Sequence, residues 1–437
     1  MGRKTWDSLP KPLVDRYSFI LTRNTDLIEK YPFKGLFCNS FFYVNEEMVR
    51  NIGTNNIFDV NVIGGSEICD LFFNDSRLGF DKLNITHVQC DFTVNIENAK
   101  SISIPTNYKL NKYSEKQHCI DSISGEFVNL RFLEYVFSNK TSPNYETVYL
   151  GLMNRILNEG VLRKDRTNVG TLSIFGAQIE FDISETVPVL TTKHVPWKQC
   201  IEELLWFLRG DTDAKILQKK NIKIWNGNTS REFLDSVGLS DYNEGVLGPG
   251  YGWQWRHFGG EYKQEYADSS NIPVNSNIGF DQINFLIHEI KNNPYSRRLV
   301  LSSWNPNVFD QVALVPCHYT CQFYVENCKL SCHTILRSND MFLGAPWNMF
   351  SYAVLTYILA IKCDLKPGKI VYTVSDAHIY KNHIDQVNTL LETQQNVDPV
   401  LYMDPSIKYK DFKDMTITDF DLVGYFPHKS VPAKMAI

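Results

Sequence analysis

The chain has 437 residues, more than one ordinary hydrophobic core accommodates, so two domains are expected. Hydrophobic residues make up 43% and charged residues 21%, the balance of a soluble globular protein. A net charge of −5 excludes a global electrostatic pull towards nucleic acid or an anionic membrane surface.

In chain order, residues 1–137 alternate short strand patterns with loops. The stretches 17–21, 60–63, 85–89 and 128–136 read as strands, and Gly64-Gly65 directly follows the second of them. A polar junction at 138–144 contains turn residues and no periodicity. The pattern then changes. Residues 145–159 have helical spacing and stop at Gly160, and 171–183 alternate as a strand. Residues 195–208 form a strongly apolar helix ending at Gly210. Residues 312–335 read as strand, turn and strand with Glu326-Asn327 at the turn. The longest apolar stretch, 349–361, falls short of the roughly 20 residues a bilayer requires and reads as a buried helix. Ten scattered cysteines, no signal-peptide pattern and a tryptophan, Trp6, where myristoylation needs Ser or Thr imply a reducing, cytoplasmic setting.

Within the strand-like run at 313–318, Cys317 lies between Pro316 and His318, and Arg337-Ser338 follows twenty residues later. A thiol that attacks carbon must be a thiolate, and a nearby guanidinium can keep it so at neutral pH. Two plainer readings stand beside this one. A free cysteine is often a small buried hydrophobe. Alternatively Cys317, His318, Cys321, Cys328, Cys332 and His333 crowd together as zinc ligands do, although no Cys-x2-Cys knuckle is present and the residues between them read as half-buried strand.

Glu203 sits on the apolar helix with Trp206 and Phe207 at i+3 and i+4. A carboxylate there is either paired or raised in pKa, and raised carboxylates shuttle protons. The plain alternative is the helix's exposed edge, a place Glu202 could equally take. Arginines recur in polar clusters at Arg166, at Arg297-Arg298 and at Arg337, as suits phosphate oxygens, or simply as surface charge. His378 and Tyr380 are two apart, on one face if extended, and could hold a sugar hydroxyl or satisfy a core.

Taken together, residues 145–437 closely resemble thymidylate synthase. The stretches carrying the resemblance are DRTNVGTLSIFGAQ (165–178), EELLWFLRGDT (202–212), LGPGYGWQWRHFG (247–259), SRRLVLSSWNP (296–306), ALVPCHYTCQFYV (313–325), LSCHTILRSNDMFLGAPWNMFSYA (330–353) and DAHIYKNHIDQV (376–387). The resemblance implies an α+β fold with a large mixed sheet at a homodimer interface. It also implies reductive methylation of dUMP to dTMP, with 5,10-methylenetetrahydrofolate supplying carbon and hydride and leaving as dihydrofolate. Cys317 would add to C6 of the uracil, with Arg337 stabilising the thiolate. Arg166, Arg337 and Ser338 of one subunit would clamp the phosphate with Arg297 and Arg298 of the other. Glu203 would manage protons with ordered water, and Tyr251 would sit near the proton leaving C5. Asn348 would read the uracil edge, His378 and Tyr380 would hold the ribose hydroxyl, and His318 belongs with the substrate-binding residues. Trp225, Asp340, Leu343, Gly344 and Trp347 would line the folate site, and a tail ending in Met435, Ala436 and Ile437 would close over it. No metal, membrane or DNA is implied. The sequence departs from the family pattern at Leu336 (usually Gln), Ser375 (usually Gly), Trp347 (usually Phe or Tyr) and Gly250 (usually Val).

The first half resembles dihydrofolate reductase through residues 1–10, 20–23 and 62–68 and a closing strand near Val128, with Cys69 where Tyr is usual. Gly2, Arg3, Lys4, Thr5, Thr22, Arg23, Gly64, Gly65, Ser66 and Glu67 would be what is left of an NADPH site, the glycines letting backbone approach the cofactor. The reductase's first strand, catalytic acid, mobile loop and first helix would precede Met1. The expected domains are therefore an incomplete α/β reductase-like sheet (1–137), a junction (138–144) and a synthase (145–437), as in the fused enzymes of protists including apicomplexans. Either a shortened gene model or a synthase-only isoform is expected, with NADPH used only by a longer, complete chain. The competing readings are a Cys/His zinc-containing nucleic-acid-binding module and a non-catalytic remnant whose first half supports the dimer.

Overall fold

The computed structural model describes residues 19–21, 36–38, 82–89, 104–120, 127–138, 144–165, 167–273, 276 and 278–435. The chain divides into two compact units, Met1–Asn139 and Lys140–Ile437.

In the first unit, β1 (Phe19–Leu21) and β2 (Leu36–Cys38) pair in parallel. A second, antiparallel sheet holds β3 (Lys82–Gln89), β4 (Tyr108–Tyr113), β5 (Gln117–Ile120) and β6 (Phe127–Phe137), with β6 bonded to the other three. Its side chains alternate with the period of two that a strand imposes: Arg131, Leu133 and Tyr135 are buried, while Phe132 between them is exposed. The expected strands at 85–89 and 128–136 lie within β3 and β6. The expected strand at 60–63, Cys69, and the positions Gly2, Arg3, Lys4, Thr5, Thr22, Arg23, Gly64, Gly65, Ser66 and Glu67 lie outside the described residues.

The second unit is built on a six-stranded mixed sheet in the order β7–β8–β12–β11–β10–β9. Its strands are β7 (Val161–Arg163), β8 (Thr171–Asp182), β9 (Val300–Ser302), β10 (His318–Glu326), β11 (Lys329–Asp340) and β12 (Lys366–Tyr380). Only β11 and β12 run parallel, and α5 (Gly344–Lys362) supplies the crossover such a pair requires. Further helices are α1 (Tyr145–Glu159), α2 (Trp197–Arg209), α3 (Tyr251–His257), α4 (Gln282–Asn292) and α6 (Ile384–Glu392). A two-stranded ribbon of β13 (Val400–Met403) and β14 (Phe420–Val423) completes the unit.

Local signals explain the boundaries. Asn144 caps α1, its side chain accepting from the Thr147 N–H at 2.8 Å. Gly210 ends α2 at φ +85°, a left-handed conformation that favours glycine. Leu330, Cys332, Thr334 and Leu336 of β11 point into the core beneath α5. On the other face of the sheet Phe175 is 85% exposed and Tyr324 65%.

Four expectations need correction. The helix expected from 195 begins at Trp197, because Val195 and Pro196 remain outside the helical region (Pro196 ψ +66°). The helix expected at 349–361 runs from Gly344 to Lys362. It includes Pro346, which is tolerated in a first turn because N–H groups there have no helical acceptor. The strand expected from 312 begins only at His318, so Cys317 precedes the strand instead of lying within it. Pro316 has no N–H for a ladder, and the carbonyls of Val315 and Pro316 accept from the Arg337 guanidinium at 2.8 and 3.0 Å. The hairpin turn lies at Asn327 and Cys328, both with positive φ, one residue beyond the expected place.

Candidate active site

Arg337 organises the segment that carries the thiol. Its guanidinium ties down Val315 and Pro316, its own N–H donates to the Cys317 carbonyl at 3.0 Å, and Nη2 lies 3.5 Å from Cys317 Sγ. One cation therefore shapes the loop and faces the sulfur, the arrangement that favours a thiolate. The Cys317 N–H donates to the Tyr251 hydroxyl at 2.8 Å. Burial keeps that phenol protonated, its pKa raised well above the usual 10.

His318 stacks on Tyr251 with ring centroids 4.3 Å apart, and its Nδ1 meets the Tyr352 hydroxyl at 2.9 Å. Burial drives the imidazole pKa down to about 3, so it is neutral at physiological pH.

Glu203, 7% exposed, is held by two indoles. Trp225 Nε1 donates to Oε1 at 2.8 Å and Trp347 Nε1 to Oε2 at 2.6 Å. Burial raises the carboxyl pKa to about 7 against the opposing pull of those two N–H groups. Glu202, as buried as Glu203, is instead paired with Lys220 at 2.6 Å. A small cavity is lined by Glu203, Phe207, Trp255, His318, Asn348 and Ser351, among others. Ser351 Oγ is buried with no hydrogen-bond partner among the described residues. Asn348 itself hydrogen-bonds the buried Tyr372.

On the neighbouring strands, Ser338 lies opposite Asp376 in the β11–β12 register. Asp376 accepts from Ser173 at 2.6 Å and Arg163 at 2.9 Å, and lies 3.3 Å from His378 Nδ1. His378 and Tyr380 stand edge to face with centroids 5.2 Å apart. Asp340 Oδ1 accepts from the N–H groups of Phe342 (2.9 Å) and Leu343 (3.3 Å) ahead of α5. A Cβ at Gly344 would come within 2.7 Å of Asn339 Oδ1, so a larger residue there would push that amide aside. The tail is tied at Lys434, whose carbonyl lies 2.9 Å from His383 Nε2.

The structure thus brings Cys317, Arg337, Tyr251 and His318 together, and places Asn348, Trp225 and Trp347 around Glu203. Arg297 and Arg298 are not part of that cluster. They are exposed ahead of β9, and among the described residues neither guanidinium has a partner. Arg166 and Ala436 lie outside the described residues. Leu336, one of the departures, is fully buried opposite His318 and serves the core. The cysteine–histidine crowd does not converge: Cys321 and Cys332 are buried, Cys328 is exposed at the turn, and His333 bonds Thr373 on the other face. Among the described residues no group of His, Cys, Asp or Glu could hold a metal, and no helix is long and apolar enough to cross a membrane.

Sequence reasoning missed Tyr352 and Ser351, although both fall one helical turn from Asn348 and so share its face. It also missed Lys193. Its ammonium donates to the Phe342 carbonyl at 2.6 Å and lies 3.7 Å from that ring's centroid, and burial lowers its pKa to about 8. Nothing in the local sequence marks it.

Comparison with known proteins gives two family matches, Thymidylate synthase over residues 147–437 and Dihydrofolate reductase over 1–128. The bifunctional dihydrofolate reductase-thymidylate synthases of Daucus carota and Paramecium tetraurelia are each 38% identical over all of this chain, covering 87% and 90% of their own lengths. The thymidylate synthase of Homo sapiens is 47% identical over 68% of this chain and 92% of its own.

Proposed function

The chain belongs to the bifunctional dihydrofolate reductase-thymidylate synthase family, and from that premise we propose how its own residues carry the synthase chemistry. Its second unit is a thymidylate synthase, a methyltransferase that makes dTMP from dUMP. Residues 1–128 belong to the dihydrofolate reductase family, whose members use NADPH.

Cys317 is the nucleophile. Its thiolate adds to C6 of the uracil, the electron pair moves to C5 and O4, and C5 becomes a carbon nucleophile. The 3.5 Å contact with Arg337 carries this reading, because it joins the sulfur of a half-buried cysteine to a fixed positive charge. Methylenetetrahydrofolate supplies the carbon and a hydride. Glu203, near neutrality in pKa, takes and returns protons at the pyrimidine through water. Tyr251, a neutral phenol beside Cys317, sits where the C5 proton departs. Departure of the sulfur re-forms the C5–C6 double bond and frees the enzyme.

Asn348 reads the uracil edge, with neutral His318 beside it. His378 and Tyr380, braced by Asp376, hold the ribose hydroxyl. Arg337, Ser338 and Arg166 clamp the phosphate, and Arg297 and Arg298 reach in from a second subunit. That borrowed role is supported by their exposure and lack of partners, and the open sheet face bearing Phe175 and Tyr324 is the surface of the homodimer. Asp340 suits the folate ring: Oδ2 takes no bond among the described residues and is available to a ring N–H. Trp225, Leu343, Gly344 and Trp347 form the wall of that pocket, and the tail through Ala436 closes it. Among the described residues Cys200, Cys317, Cys321, Cys328, Cys332 and Cys363 form no disulfide, which suits a reducing, cytoplasmic compartment.

The test is to give the purified chain dUMP and methylenetetrahydrofolate and separate nucleotides and folates by chromatography. Equal amounts of dTMP and dihydrofolate are expected. A folded, dimeric sample that makes neither overturns the proposal.

A further inference from the structure

Trp347 stands where the resemblance to the family implies Phe or Tyr. Trp225 and Trp347 come from separate segments, yet each aims its N–H at a different oxygen of one buried carboxylate. Glu146, fully buried in the same unit, shows the contrast. It accepts from the N–H and hydroxyl groups of both Thr191 and Thr192, so its oxygens are saturated by the surrounding fold. Among the described residues Glu203 accepts only from the two indoles, and it faces the cavity.

We propose that Trp347 is a positioning residue for Glu203, its indole N–H gripping the second carboxylate oxygen that a phenyl ring at 347 would leave without a donor. This deepens the proton-carrying role assigned to Glu203 above and rests on it. An N–H bond to a carboxylate favours the charged form and fixes the rotation of the group. Burial pushes the other way. With Trp347 in place the acid is held near neutrality, able both to give and to receive a proton. With Phe in its place burial is less opposed, and Glu203 stays protonated to higher pH.

The neighbouring groups leave this titration legible. Cys200 on α2, Tyr251 on α3 and Tyr352 on α5 are all raised well above their usual values by burial, and His318 on β10 is lowered to about 3. Lys220 and Glu202 pair with each other at 2.6 Å. Cys317 lies beside Arg337, and an S–H stretch absorbs far from a carboxyl band.

The experiment is an infrared titration of the carboxyl band of Glu203 in the full chain, identified by its loss in Glu203→Gln. Two variants are compared with the wild type: Trp347→Phe, and Trp347 replaced by benzothienylalanine, which keeps the bicyclic shape but has sulfur in place of N–H. The midpoint should rise by about one pH unit in both, the size expected for losing one charge-assisted hydrogen bond. An unmoved midpoint in both overturns the proposal. So does a rise confined to the phenyl variant, which would trace the effect to packing. If Trp347→Phe does not fold, the isosteric variant alone decides. Full dTMP formation by Glu203→Gln would instead sink the catalytic assignment of Glu203 while leaving the titration result standing.

Discussion

Burying a carboxyl at 203 has a thermodynamic consequence that can be measured apart from activity. Its pKa of about 7 lies above the usual 4.5, burial being the main cause. Between those values the folded chain keeps a proton that the unfolded chain releases. The stabilisation is complete below about pH 4.5 and is lost as pH rises through about 7, roughly 3 kcal/mol in all. Glu203→Gln removes this dependence. Denaturant unfolding at pH 5 and pH 8 should show the stability gap moving in the variant's favour by about 2 kcal/mol; a gap that stays constant would show that Glu203 is not raised. Much of this was legible in the sequence, since a glutamate flanked by Trp206 and Phe207 on an apolar helix must be paired or raised. What could not be read was which groups hold it. Trp347 is 144 positions away, and only the docking of α5 on α2 brings it there.

Among elements, the β10–β11 hairpin combines a strong sequence signal with a small misfit. Alternating residues announced both strands, and the turn was expected one residue early because Glu326-Asn327 contains the more familiar turn residue. The left-handed conformation in fact falls on Asn327 and Cys328, at φ +50° and +59°. A cysteine there is strained, whereas Asn-Gly is the favoured pair for a two-residue hairpin. Cys328 is exposed and packs no core. Cys328→Gly should therefore raise stability by about 1 kcal/mol in thermal unfolding, and a loss of stability would contradict the strain assigned to the turn. The segment before β10 illustrates the opposite case. Residues 312–317 look like strand, yet Pro316 cannot donate to a ladder and Arg337 claims the carbonyls of Val315 and Pro316. A long-range side chain overrides the local pattern there, which is why the thiol sits on a loop.

At the scale of the whole molecule, the mixed sheet has helices on one face and exposed Phe175 and Tyr324 on the other. A single chain leaves that face to water, and Arg297 and Arg298 stand outside the thiol pocket. Both facts are explained if two copies pair through the sheet and exchange arginines. Mixing Arg297→Ala with Cys317→Ser should then restore about a quarter of wild-type activity, since half of the randomly exchanged dimers are hybrids with one complete site. No recovery after confirmed subunit exchange would contradict the borrowed arginines. The α+β class and the long motifs of the second unit were legible in advance, because periodicity and turn residues act locally. Strand order was not: the parallel pairing of β11 with β12 depends on where the α5 crossover returns the chain.

The most direct test compares dTMP formation and dUMP binding in wild type and Cys317→Ser. The hydroxyl keeps the pocket's shape but is far less able to become an anion beside Arg337, so turnover should fall by orders of magnitude while dUMP still binds. Near-normal turnover by the serine variant would show that Cys317 is not the nucleophile.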